Sequence, residues 1–159
     1  MMDTMPTKID ARLAELGITL PSSVPPAANY VPWTRSGNLL FIAGQVPTRD
    51  GKDLHSGKLG GGVSIEQGQE AAQLCAINIL SQVKAALDGD LDRVVRCLRL
   101  TGFVNCTPDF GDQPRVVNGA SDFMVAVFGD AGRHARAAVG SVSLPRNVCV
   151  EVDAIFEVR

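Results

Sequence analysis

The stretch Val148-Cys-Val-Glu-Val-Asp-Ala-Ile-Phe-Glu-Val158 alternates more cleanly than any other in the chain. Val148, Val150, Val152, Ala154, Phe156 and Val158 fall on one side of an extended backbone, and Cys149, Glu151, Asp153, Ile155 and Glu157 on the other. A period of two is the pleat of a β-strand, so the first set predicts a face packed on helices. The second set, three acids with an Ile, suits a face that meets water in a lone monomer or lines a subunit interface.

Working outward, a second strand is expected over Ala135 to Val142, joined to the last through Leu144-Pro-Arg-Asn147. Before it, Val116, Ala120, Phe123 and Val127 recur at helical spacing, preceded by the loop Thr107 to Pro114. Val94 to Cys106, rich in Val, Leu, Thr and Phe, reads as a strand. Ser64-Ile-Glu-Gln67 has the form of a capping box. Behind it Ile65, Ala72, Cys75, Ala76, Ile79, Val83, Ala86 and Leu87 share one arc, and Glu66, Glu70, Gln73, Ser81, Lys84 and Asp88 take the other side. That predicts a long amphipathic helix ending near Asp88-Gly89.

Upstream, Thr48 to Gly62 is a polar, glycine-rich loop. Tyr30 to Arg35 and Leu39 to Val46 read as two strands around Ser36-Gly37-Asn38. Pro21 to Pro26 is an extended linker, and Asp10 to Leu16 a short helix. The order ββαβαββ then packs as one α+β sheet with two helices on one face.

Composition bounds the function. The 159 residues suit one domain, 1–159, with 1–28 as an N-terminal extension and linker. A net charge of −2 argues against a general nucleic-acid binder, which needs a basic field to displace counterions from phosphates. No apolar run is long enough for a membrane span, and Met1 to Leu20 has no signal-like apolar region, so the expected compartment is the cytoplasm. Cys75, Cys97, Cys106 and Cys149 lack metal-ligand spacing and, with His55 and His134, predict neither a metal site nor a disulfide framework. They read as core filler. Gly60-Gly61-Gly62 is followed by Val63-Ser64 rather than Lys-Ser/Thr, so no phosphate loop is expected and a flexible surface loop is the simpler reading. No Gly-x-Ser-x-Gly elbow marks a nucleophilic serine.

Arg136 stands out. Its strand neighbours are small or apolar, and a guanidinium among them needs an anion. The anion is either an internal acid such as Glu151 or Asp153, or the carboxylate of a ligand gripped at two points.

The segment Ala135-Arg-Ala-Ala-Val-Gly-Ser-Val-Ser-Leu-Pro-Arg-Asn-Val-Cys-Val-Glu-Val-Asp-Ala-Ile155 resembles the C-terminal signature of the RidA family, also called YjgF/YER057c/UK114. Phe41-Ile-Ala-Gly-Gln-Val-Pro47 is similar to its second-strand motif, and Val117-Asn118-Gly119 to its second-helix asparagine. The likeness runs from about Tyr30 to the C-terminus, and the added N-terminal helix with Gly-Arg-His-Ala-Arg136 resembles a longer bacterial subgroup.

The resemblance implies a chorismate-mutase-like fold, a homotrimer with ligand sites between subunits, and hydrolysis of reactive enamines and imines such as 2-aminoacrylate. The products would be 2-oxo acids and ammonia, formed without a cofactor. Position by position it implies that Arg136 grips the substrate carboxylate and Glu151 manages the water or proton. Tyr30 and Asn118 would line the cleft, with Gly44 and Ala138 offering backbone groups. The chain departs from the pattern at Ala43, where Ser or Thr is usual, and at Ala138, where Cys is frequent. Ala43 favours an alternative, a small-carboxylate-binding or regulatory trimer without turnover. An endoribonuclease is a third reading.

Overall fold

The computed structural model describes residues 5–23 and 28–159. The linker expected over Pro21 to Pro26 is therefore described as far as Ser23, and its remainder lies outside the described residues, as do positions 1–4.

The strands β1 (Trp33–Ser36), β2 (Leu39–Gln45), β5 (Val94–Asn105), β6 (Ala135–Ser141) and β7 (Val150–Val158) form one sheet in the order β1-β2-β7-β5-β6. All neighbours are antiparallel except β5 and β6. That parallel pair needs a crossover, which the helix α3 (Gln113–Phe128) supplies. The long helix α2 (Ile65–Ala86) lies beside α3 on the same sheet face, as the alternation of β7 predicts.

Local chemistry sets most boundaries. Ser64 Oγ accepts from Gln67 N at 3.1 Å while Gln67 Oε1 accepts from Ser64 N at 3.0 Å, so the expected capping box starts α2. The helix ends at Ala86, before Asp88 and Gly89 take left-handed φ of 52° and 91°. β1 begins at Trp33 rather than Tyr30, because Pro32 has no N–H for a ladder. The N-terminal helix α1 spans Lys8–Glu15, two residues earlier than expected. Its start is fixed by a Thr7/Asp10 capping box and by Asp92, whose carboxylate accepts from Lys8 N and Ile9 N at 3.0 Å.

Three expectations need correction. β7 begins at Val150, so Cys149 is fully buried and does not join the acid-bearing face. Ser81 of α2 is buried rather than on a solvent face; its hydroxyl donates to Ile77 O at 3.3 Å, and Pro21 and Pro32 flank that side. The glycine-rich loop is pinned. It carries a small hairpin, β3 (Thr48–Arg49) with β4 (Lys52–Asp53), and Leu59 is fully buried. Buried Asn105 donates to Gly57 O, Asn147 Oδ1 and Val148 O at 3.1–3.2 Å, tying the loop to the start of β7.

The core sits between sheet and helices around Leu40, Ile79, Leu80, Leu100, Met124 and Phe156, with Phe128 and Phe156 edge to face at 6.2 Å. All four cysteines are free and buried within it, as the filler reading expects. Burial pushes the Cys97 thiol up to about 12 and that of Cys149 to about 11, which leaves both in the unreactive thiol form.

Two glycines let α3 approach closely. A Cβ on Gly102 would lie 2.4 Å from Val117 Cγ2, and one on Gly119 would lie 2.1 Å from the Gln69 carbonyl oxygen of α2. The second contact is backbone against backbone and cannot relax by a rotamer change. Gly119→Ala should therefore destabilise the fold by about 3 kcal/mol, the upper end of overpacking costs, measured by urea unfolding. Wild-type stability in that variant would mean that the helices separate freely.

Candidate functional site

Arg136 lies on the edge strand β6 opposite Leu100, a core residue that is itself opposite Ala154 of β7. Its side chain accordingly projects on the helix-bearing face. Nη1 donates to Asn118 Oδ1 at 2.8 Å and to Ser121 Oγ at 3.2 Å, two residues one turn apart on α3. Ala138, two positions on, shares that face and packs against the core. The Nε–Nη2 edge of the fork meets no acceptor among the described residues, and no carboxylate pairs with the guanidinium there. The internal ion pair with Glu151 or Asp153 does not form. The reason is the pleat. Glu151 is opposite Phe103, three residues along β5 from Leu100, and so projects from the other face.

Glu151 is half-buried on that face, its carboxyl against Gly44. A Cβ at Gly44 would stand 3.1 Å from Glu151 Oε1, so a side chain there would crowd the carboxyl. Gly44 falls where the β2/β7 register shifts, between Ile42 and Gln45. Desolvation raises the Glu151 pKa, the Asp153 charge raises it further, and the Arg146 charge opposes them. Gly44 and the exposed Tyr30 line a groove of about 630 Å³, with Gln45, Arg49, Gln82 and Arg146 on its walls.

One chain thus groups Arg136, Asn118 and Ala138, and separately sets Glu151 against Gly44, which with Tyr30 lines the groove beside α2. β6 and β7 are two strand spacings apart, about 10 Å, and Arg136 and Glu151 use opposite faces. A ligand of a few atoms cannot bridge them within one chain.

Sequence reading missed three residues. Ser121 holds Arg136, and its signal was the i, i+3 spacing from Asn118. His134 contacts Ser121 at 2.8 Å and stands two residues before Arg136 on an extended segment. Arg146, at a left-handed φ of 54°, donates from Nε and Nη2 to Asp53 at 3.0 and 2.9 Å and fixes the hairpin beside the groove.

A mixed sheet with two helices on one face has the architecture of the chorismate-mutase-like proteins. Residues 10–157 match the family model described as YjgF/chorismate mutase-like, "putative endoribonuclease". The chain belongs to this family, the RidA/YjgF family. The match begins within α1, so it includes the N-terminal helix that carried no part of the sequence resemblance to the main family.

Protein TCP17 of Trypanosoma cruzi is 47% identical over 153 residues, covering 96% of this chain and 95% of the relative. The structure of Atu1372 from Agrobacterium tumefaciens, of unknown function, is 54% identical with a TM-score of 0.89, covering 95% of this chain and 92% of that one. A "putative endoribonuclease" from Shewanella oneidensis is 33% identical with a TM-score of 0.90, covering 94% and 99%. Among the described residues no helix is long and apolar enough to cross a membrane.

The raised Glu151 pKa has a sign that can be checked. A carboxyl whose pKa is higher folded than unfolded stabilises the fold fully below its unfolded value, and that contribution is lost as pH rises through the folded value. Glu151→Gln, which mimics the protonated form, should raise the melting temperature at pH 7 to 8. The gain should fade on acidification into the carboxylate range. A lower melting temperature at neutral pH would mean that ionised Glu151 has a stabilising partner.

Proposed function

We propose that the protein hydrolyses small enamines and imines bearing a carboxylate, such as 2-aminoacrylate, to 2-oxo acids and ammonia. The site would be assembled between copies in a homotrimer, with no cofactor taking part. The observation that carries this reading is the division of the site residues. Arg136 presents a free two-point edge on one face of one strand, and Glu151, against Gly44, stands on the opposite face two strands away. A neighbouring copy supplies the missing half to each.

The open sheet face supports the same assembly. Leu39, Phe41 and Val139 are exposed on it, beside the partly buried Phe103 and Ile155. Such a patch on a sheet with its other face already covered suits burial against other subunits.

The chemistry asks little of the protein. The enamine takes a proton on its methylene carbon to become the imine. The imine carbon is electrophilic, and water adds to it. The carbinolamine then loses ammonia as the C–N bond breaks and the carbonyl forms. Arg136 fixes the substrate carboxylate through Nε and Nη2, while Asn118 and Ser121 hold Nη1. Glu151 takes the proton of the attacking water and returns it to the departing nitrogen. Its raised pKa moves that exchange toward neutral pH.

Ala43, where the family usually carries a hydroxyl residue, favours a second reading: a carboxylate-binding trimer without turnover. The family description and the Shewanella relative carry the word endoribonuclease, and that activity is the third reading.

One set of measurements separates them. Light scattering should give the mass of three chains, and a monomer at micromolar concentration would remove the shared site. Arg136→Ala and Arg136→Lys should both weaken binding of a small 2-oxo acid by roughly 10- to 150-fold, equivalent to about 1.5–3 kcal/mol, because lysine lacks the planar fork. Equal affinity of Arg136→Lys and wild type would make Arg136 structural. Glu151→Gln should keep 2-oxo acid binding and lower kcat for ammonia release from imino acids by about 10²–10⁴. Binding without ammonia release in the wild type selects the second reading. RNA cleavage that is abolished in both the Arg136 and Glu151 variants selects the third.

A further inference from the structure

Behind Arg136 runs a chain of hydrogen bonds that the reading above does not use. Ser121 Oγ lies 3.2 Å from Arg136 Nη1 and 2.8 Å from His134 Nε2, and His134 Nδ1 lies 2.6 Å from the Gly132 carbonyl oxygen. The chemistry of these groups assigns every proton. A carbonyl accepts and cannot donate, so Nδ1 carries the hydrogen, and Nε2 of the neutral ring presents a lone pair. A guanidinium donates and cannot accept, so Ser121 Oγ receives Nη1–H and gives its own hydrogen to Nε2. The order is Arg136 to Ser121 to His134 to the Gly132 carbonyl.

The far end of this chain is anchored. Gly132 is buried, and a Cβ on it would lie 2.1 Å from the Met124 carbonyl oxygen, so the turn holding the acceptor is packed backbone to backbone on α3. Ser121 stands on the same helix, one turn after Asn118. The ring and the guanidinium are therefore referenced to one rigid element.

We infer that His134, acting through Ser121, is a positioning residue for Arg136 that couples the grip on a substrate carboxylate to the protonation of the imidazole. The inference rests on Arg136 being the carboxylate clamp. With His134 neutral, Ser121 is oriented as an acceptor for Nη1, which leaves the Nε–Nη2 edge free. Protonation reverses the Ser121–His134 bond, since Nε2 then donates to Oγ, whose second lone pair still serves Nη1. It also adds a positive charge one hydroxyl away from the guanidinium that holds the anion. Carboxylates bind more tightly as His134 protonates, and by linkage a bound carboxylate raises the His134 pKa by the same factor.

The surroundings leave this coupling to Arg136. Burial lowers the His134 pKa, the Gly132 contact opposes that, and the Arg136 charge lowers it further. The other charged groups nearby are engaged or turned away. Arg133 pairs with Asp130 at 3.4 Å on the exposed turn, Arg96 of β5 donates to the Arg133 carbonyl oxygen at 2.8 Å, and Asp122 of α3 lines a different groove, against α2.

The test uses the intact chain in its native assembly. Nitrogen-15 spectra of the two imidazoles, with His134 assigned through His134→Gln, give the tautomer and the titration. The expected results are a protonated Nδ1 in the neutral ring, a higher His134 pKa in Arg136→Ala, and a higher His134 pKa in wild type saturated with pyruvate. Calorimetry should show pyruvate binding several-fold tighter at pH 5.5 than at pH 8. The slope should persist in Glu151→Gln and vanish in His134→Gln, while Ser121→Ala weakens binding by about 2- to 12-fold, the worth of one ordinary hydrogen bond. A protonated Nε2 in the neutral ring, or an equal pH slope in His134→Gln, would overturn the inference. Pyruvate that binds wild type at no pH would overturn the functional reading and the anion coupling together. The tautomer and the Arg136→Ala shift would then still decide whether the hydrogen-bond chain exists.

Discussion

The phase of β7 governs the molecule. This strand pairs on one side with β2 and on the other with β5, so its alternation sets which residues of both neighbours point to the helices. Leu40 and Ile42 share a face with Phe156 and Ala154, and Leu100 and Val104 share it with Ala154 and Val150. A slip of one residue would place Glu151 and Asp153 in the core and Val152 and Phe156 in water. Through β5 the same phase reaches β6, where it sends Arg136 toward α3 and Val139 toward the open face. The separation of Arg136 from Glu151 follows from this pleat.

Close backbone approach does the next part of the work. Gly102 accepts Val117 against the sheet, and Gly119 accepts the carbonyl of Gln69. α3 can then sit low enough over the sheet edge for Asn118 and Ser121 to reach the guanidinium. With larger residues at these glycines, the helix would stand off and Arg136 would lose its two neutral acceptors. Neutral acceptors matter here. They hold the guanidinium in place without cancelling its charge.

The two half-sites have opposite electrostatic character. Around Arg136 the neighbours are amide, hydroxyl and imidazole, with desolvation keeping the imidazole toward its neutral form. Around Glu151 partial burial and then a second acid hold the carboxyl toward its protonated form, opposed by Arg146. In the proposed trimer, an anion binder on one surface and a proton-exchanging acid on the other would complement each other.

How much of this the sequence contained differs by level. Periodicity located all five strands of the main sheet and the two long helices, because burial of one face imposes period 2 or 3.6 directly on residue choice. The capping box of α2 and the glycine after it were legible for the same local reason. Arg136 was legible as an oddity, a charge among small residues. Its unpaired state was not, because an ion pair with Glu151 or Asp153 is forbidden by the relative phase of β6 and β7, and β5 lies between them. The pinned glycine loop, the buried Ser81 and the Arg136–Ser121–His134 chain were likewise invisible. Each depends on contacts between segments far apart in sequence, such as Asn105 with Gly57 or Arg136 with Ser121. Sequence alone determined which segments are strands and helices and which face of each is apolar, since those follow from neighbours within a few residues. Tertiary structure decided which polar groups meet, because strand order and helix height over the sheet are set by long-range packing.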